Sequence, residues 1–159
     1  MNEHGLTNDS ARRVARHITD LGSPVETLAI AAERSLIKYG ARAVEPLMAA
    51  TSHEDAQVRF RSVYILGKIG DTSCYDVLVT CAQDLDPRVA QEAVIALGDL
   101  ADPRAVTPLL ELIAEVRLEE DEDALLASGR AVLAKLGHPT ESRDKATGFS
   151  VSEESREAG

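Results

Sequence analysis

Asp55-Ala-Gln-Val-Arg-Phe-Arg-Ser-Val-Tyr-Ile-Leu-Gly67-Lys-Ile-Gly-Asp71 and Asp86-Pro-Arg-Val-Ala-Gln-Glu-Ala-Val-Ile-Ala-Leu-Gly98-Asp-Leu-Ala-Asp102 align without a gap at an offset of 31 residues. Val58 falls on Val89, Val63 on Val94, Leu66 on Leu97, Gly67 on Gly98 and Ile69 on Leu100. The intervening segments recur as well: Ala43 to Met48, Cys74 to Val79 and Ala105 to Leu110 share that offset. Leu28 to Gly40 is a fainter copy of Val58 to Gly70, and Glu122 to Gly137 echoes Asp86 to Ala101 after a longer insertion. Apolar residues spaced three and four apart in each copy read as amphipathic helix, and no segment alternates with a period of two for long enough to be a strand. The unit is therefore two short helices repeated about four times. Each unit leaves an apolar face that only its neighbours cover.

Helices are expected at about residues 9–21, 24–39, 43–51, 55–69, 72–84, 87–100, 103–117 and 122–136. Ser23-Pro24-Val25-Glu26 reads as a capping box with proline in the first turn. Asp86-Pro87 and Asp102-Pro103 place a carboxylate where it accepts an orphan N–H. Gly40, Gly70 and Gly137 sit where a helix closes in the left-handed region. Gly67 and Gly98 lie inside a helix, where glycine costs about 1 kcal/mol against alanine, so their recurrence points to close helix–helix approach.

Val58-Arg59 followed by Leu66-Gly67-x-Ile69-Gly70-Asp71 resembles the second helix of the short HEAT-like repeats first described in phycobilisome lyases, and Asp102 to Leu110 resembles their first helix. The resemblance covers roughly residues 24 to 137. It implies an all-α, right-handed α-α superhelix of about four helix pairs, with first helices on the convex side and second helices on the concave side that meets a partner. The division expected is an N-terminal capping helix over 1–22, a HEAT-like repeat domain over 23–137 and a disordered tail over 138–159. The cap follows from Ala11, Val14, Ala15, Ile18 and Leu21 on one helical face, with Arg12, Arg13 and Arg16 outside it. The tail follows from its polar, Ser- and Glu-rich composition. The family also implies that Arg59 bonds to an acidic residue of a neighbouring turn, with Asp86 or Asp55 as candidates.

Catalysis is tested against the same frame. Hydroxylases that act on deoxyhypusine resemble this repeat and carry His-Glu pairs early in their second helices. Here those positions hold Phe60-Arg61, Gln91-Glu92 and Ala127-Ser128, and His53-Glu54 precedes the helix. No catalytic residue, metal ligand set or cofactor is therefore expected. Phosphate loops, Cys-x-x-Cys and nucleophile elbows are missing from the sequence. Cys74 and Cys81 sit about two turns apart, roughly 10 Å, too far to join; they read as buried thiols of a reducing compartment. A bilin lyase or lyase subunit is the second functional reading, carried only by the family's name.

The favoured reading is a non-catalytic adaptor. The register leaves Phe60, Arg61, Tyr64 and Lys68 on the concave face of one unit, Ile30, Arg34 and Lys38 on the preceding unit, Gln91, Glu92, Ile95 and Asp99 on the following one, and Ala127, Ser128, Ala131 and Lys135 on the last. Two of the five aromatic residues and a cluster of cations thus share a face in a chain whose net charge is −10. Aromatics and arginine dominate interaction hot spots, so the expected partner is a protein segment of acidic and apolar character. The alternative is that Phe60 and Tyr64 cover each other or the N-terminal helix. The acidic balance argues against nucleic acid as partner. No apolar run approaches the ~20 residues that cross a bilayer, and Met1 to Asp20 lacks the apolar core of a secretory signal; a cytoplasmic location is expected. The run Glu119 to Asp123 reads as a solvated acidic loop.

Overall fold

The computed structural model describes residues 3–116 and 124–140. Among these, the chain forms eight α-helices and no strand: α1 (Glu3–Asp20), α2 (Glu26–Tyr39), α3 (Ala41–Ala50), α4 (Ala56–Ile69), α5 (Tyr75–Cys81), α6 (Pro87–Leu100), α7 (Val106–Val116) and α8 (Ala124–Lys135). The acidic run at 119–123 and the tail beyond 140 lie outside the described residues.

The helices pair as α1–α2, α3–α4, α5–α6 and α7–α8, and the pairs stack into an all-α solenoid. α1 packs on α2 and α3, the place of a first helix in a pair. The second helices α4, α6 and α8 run against one another extensively, whereas α3, α5 and α7 barely meet. Close second helices and splayed first helices bend the stack, with the second helices on the inside of the curve.

Two glycines make that inner approach possible. A Cβ built on Gly67 would stand 2.9 Å from the Cβ of Ala96, and one on Gly98 would stand 2.7 Å from a methyl of Val132. Both lie below ordinary carbon–carbon contact, so α4 and α6, and α6 and α8, meet backbone to side chain. Around these points Ile65, Leu66, Val94, Leu97 and Leu133 are fully buried. Each such side chain contributes about 1.5–3 kcal/mol on leaving water.

Helix boundaries follow the local chemistry, except that α1 begins at Glu3, six residues before the expected start at 9, and at three other places. Asp55, Asp71, Asp86 and Asp102 each accept the backbone N–H two residues on, and so cap α4, the turn before α5, α6 and the turn before α7. The first departure is that α5 and α7 are each preceded by one 3-10 turn, Thr72–Cys74 and Pro103–Ala105. The second is that α2 begins at Glu26 rather than at 24. Ser23 Oγ accepts from the N–H of Val25 at 3.1 Å and makes a local turn instead of a capping box. The Glu26 carboxylate is engaged elsewhere, by Arg61. The third is at the end of α6, where Ala101 takes the left-handed conformation (φ 51°) that Gly70 takes (φ 71°) one unit earlier.

Candidate partner-binding face

The repeat register sorts the inner surface into three rows that cross α2, α4, α6 and α8. The first runs Ile30, Phe60, Gln91 and Ala127; the second Arg34, Tyr64, Ile95 and Ala131; the third Lys38, Lys68, Asp99 and Lys135. Phe60 and Tyr64 are half-buried, each laid partly on the core. They therefore support the packing while part of each side chain stays accessible. Ile95 beside them is an exposed large apolar side chain. Arg34 and Lys38 are exposed and have no ion-pair partner among the described residues.

Lys68 leans over the Tyr64 ring, 5.4 Å from its centroid, a distance at which the ring quadrupole attracts a cation. Its Nζ also lies 3.3 Å from Asp99 Oδ2. Lys135 Nζ donates to the Gly98 carbonyl at 2.9 Å and lies 3.4 Å from Asp99 Oδ1. One carboxylate is thus shared by two ammonium groups. Gln91 donates from Nε2 to Ser128 Oγ at 3.2 Å, so its amide bridges α6 to α8.

Arg61 does not belong to this surface. The sequence placed it on the open face, but the side chain is only 8% exposed and turns toward α2. Its guanidinium pairs with Glu33 and, at 2.8 Å, with Glu26. The reason is that a second helix has neighbours on both flanks, and position 61 faces the preceding one. Arg61 holds units together and is lost as a partner anchor.

Arg59 bonds an acidic turn of the next unit, as the family resemblance implied, but to a different residue. Its Nε and a terminal nitrogen take both oxygens of Asp84 at 2.8 and 2.9 Å, and its other terminal nitrogen donates to the carbonyls of His53 and Glu54. Asp86 and Asp55 are occupied as caps. The bidentate contact with Arg59 holds the Asp84 carboxyl below its usual range. The Asp86 carboxyl, bonded by the side chain and backbone of Arg88, sits at about 2.

Glu92, which the repeat register also left for the inner face, is partly covered in the structure. It is half-buried on α6, and burial pushes its carboxyl above the usual range against the opposing pull of Lys68. No described residue donates a hydrogen bond to it. Its position in the unit matches Arg61, which would have identified it as a residue facing the preceding helix.

Cys74 and Cys81 are free, buried thiols, and burial raises both. His53 Nδ1 accepts the N–H of Asp55 inside the turn. Among the described residues no three His, Cys, Asp or Glu side chains converge as metal ligands would. Among the same residues no helix is long and apolar enough to cross a membrane.

Comparison with known proteins agrees with the geometry. No curated protein sequence matches the chain. Among solved structures, human deoxyhypusine hydroxylase in complex with glycerol superposes with a TM-score of 0.68 at 20% identity, over 84% of this chain and 46% of that one. The chain thus spans about half the length of that enzyme, and the likeness is one of fold. A family model for HEAT repeats matches residues 44–128, more than half the chain. Four stacked helix pairs, their glycine-mediated inner contacts and that match together place the chain in the HEAT-repeat family.

Proposed function

We propose that this protein is an adaptor whose inner face binds a protein segment of acidic and apolar character. One observation carries the reading. In a chain of net charge −10, Arg34 and Lys38 stand without ion-pair partners among the described residues, on the same inner face as the half-covered rings of Phe60 and Tyr64, with Arg34 in the row of Tyr64 and the exposed Ile95. A cation left unpaired in an acidic chain is available to a ligand, and its neighbours supply a desolvated apolar platform. The second helices hold the backbone of these residues in a packed layer, so binding has only their side chains to order.

The test is fluorescence anisotropy with labelled peptides graded in net charge and apolar content. Acidic peptides with apolar anchors are expected to bind, and more weakly as salt is raised. Arg34→Glu with Lys38→Glu should cut that affinity by tenfold or more, about 1.4 kcal/mol. Because both residues are exposed, this double variant leaves the fold intact, which Phe60→Ala and Tyr64→Ala would not. Equal binding of acidic and basic peptides, or no effect of the charge reversal, would sink the proposal.

A further inference from the structure

The second helices run parallel. Their early residues meet, Gln91 with Ser128 and Arg61 with Glu33, and so do their late ones, Lys68 and Lys135 with Asp99. Lys38, near the end of α2, therefore lies at the same end of the stack as Lys135 at the end of α8. From helix to helix the inner face changes character. α6 offers the Glu92 carboxylate, to which no described residue donates a hydrogen bond. α4 offers the half-covered rings of Phe60 and Tyr64. α2 offers Arg34 and Lys38, both exposed and without ion-pair partners among the described residues.

The chain leaves α8 at that shared end, and the described residues stop at Thr140. The sequence beyond carries complementary chemistry in the matching order. Arg143 and Lys145, with Asp144 between them, come first, then Phe149 and Val151, then Glu153 and Glu154. Length permits the match. Packed helix axes lie about 8–10 Å apart, which puts α4 about 16–20 Å and α2 about 24–30 Å from α8. Phe149 stands nine residues beyond Thr140 and Glu153 thirteen. At about 3.3 Å per residue these reach at most roughly 30 and 43 Å, so both arrive with slack. The other acidic stretch, 119–123, precedes α8 at its opposite end and contains no apolar residue.

We propose that residues 149–154 of the same chain occupy the inner face, with Phe149 and Val151 against Phe60, Tyr64 and Ile95, and Glu153 and Glu154 on Arg34 and Lys38. Lys145 passes α6 on the way, where Glu92 lacks a donor. The proposal rests on the reading of the inner face as a site for an acidic and apolar segment, and it names an occupant that the chain itself carries. Opposite charges meet at both ends of this path only when it runs from α8 toward α2, which is the direction the chain must take. A tethered segment stands at an effective concentration on the order of millimolar. An external partner therefore has to displace it, and the inner face is released only to ligands that outcompete it.

The test compares amide NMR spectra of the nitrogen-15-labelled full chain with those of the full chain carrying Phe149→Ala, Glu153→Lys and Glu154→Lys together. The amides of Arg34, Lys38, Tyr64 and Ile95 are expected to shift, those of Leu109 and Ile113 on α7 to stay, and the differences to be the same after tenfold dilution. In the anisotropy titration, a labelled peptide with acidic residues and an apolar anchor should bind the triple variant at least threefold more tightly than the unchanged chain. Inner-face amides that do not move overturn the proposal. So do differences that vanish on dilution, since those mark a second copy as the source of the segment, and so does equal peptide affinity for the two chains. None of these outcomes touches the adaptor reading, which stands or falls on whether the triple variant, with its inner face vacant, binds acidic peptides in preference to basic ones.

Discussion

Replacing Gly67 by alanine sets two opposed effects against each other, and the structure decides which wins. In an isolated helix the change stabilises by about 1 kcal/mol, because glycine has more backbone freedom to lose. Here the new methyl carbon lands 2.9 Å from Ala96 Cβ and 3.2 Å from Ala96 Cα. Neither atom can rotate aside, since a Cβ is fixed by its own backbone. Restoring a contact of about 3.5–4.0 Å requires α4 and α6 to part by roughly 0.5–1 Å along their whole interface. Overpacking of that kind costs about 1–3 kcal/mol. Gly67→Ala is therefore expected to destabilise the protein by about 1 kcal/mol, up to 2, despite its better propensity. Ala96→Gly alone should cost about 1–2 kcal/mol through propensity and a lost methyl. The double variant moves the methyl from one helix to the other, so it should return to within about 1 kcal/mol of the starting protein and show a favourable coupling of at least that size. Urea titration followed by far-UV circular dichroism measures all four corners, and each kcal/mol corresponds to a melting shift of about 2–4 °C in a chain of this length. If Gly67→Ala raises stability and the two changes simply add, α4 and α6 do not touch there and the account of the inner layer is wrong.

Two further outcomes follow from charges held between second helices. Arg61→Met should cost about 3 kcal/mol, because Glu33 is left in a largely buried site without its cation, whereas Arg61→Met with Glu33→Met should recover most of the loss; denaturant titrations that find the double variant worse than the single one would contradict the pairing seen. Glu92 has a carboxyl raised by burial, so its folded-state value lies above its unfolded one, and the stability it contributes is present below the unfolded value and lost as pH rises through the folded one. Glu92→Gln should then stabilise the protein at neutral pH, with the gain vanishing as pH falls below about 4.5, the carboxyl's ordinary value; a gain that does not change with pH would rule out burial of the charge as its cause.

The sequence made the repeat legible because the positions that touch between units are chemically narrow. Gly67 and Gly98 recur at one offset, and the position Ala32, Ser62, Ala93 and Gly129 is small in every unit and buried throughout. The capping aspartates were legible for the same reason, since few residues accept a backbone N–H in that geometry. What periodicity concealed is that a second helix buries three sides, one against its own first helix and two against its neighbours. A single apolar stripe marks only the widest of these. Ile65, fully buried against α2's flank of the stack, and Arg61, neutralised there by Glu33 and Glu26, both fell outside the stripe. The partner of Arg59 was misplaced by two residues because capping and ion pairing compete for the aspartates of one turn. Asp86 caps the helix, and Asp84 is left to receive the guanidinium.

That division of labour bears on what the inner face is free to do. The ladder from Lys68 through Asp99 to Lys135 spans three units, yet its members are 42%, 35% and 57% exposed. Exposed pairs of this kind contribute only about 0–1 kcal/mol, so they do not hold the stack together. The glycine contacts and the buried leucines do that, at positions that point between helices. The outward rows, by contrast, set charge and shape with little effect on stability. If the inner face binds as proposed, substitutions at Arg34, Lys38, Ile95 or Asp99 retune what is bound without unmaking the fold that presents it. Under the proposed adaptor role, the residues that bind and the residues that fold are different residues of the same helix, and nothing in the packing accounts for the unpaired cations of the inner face.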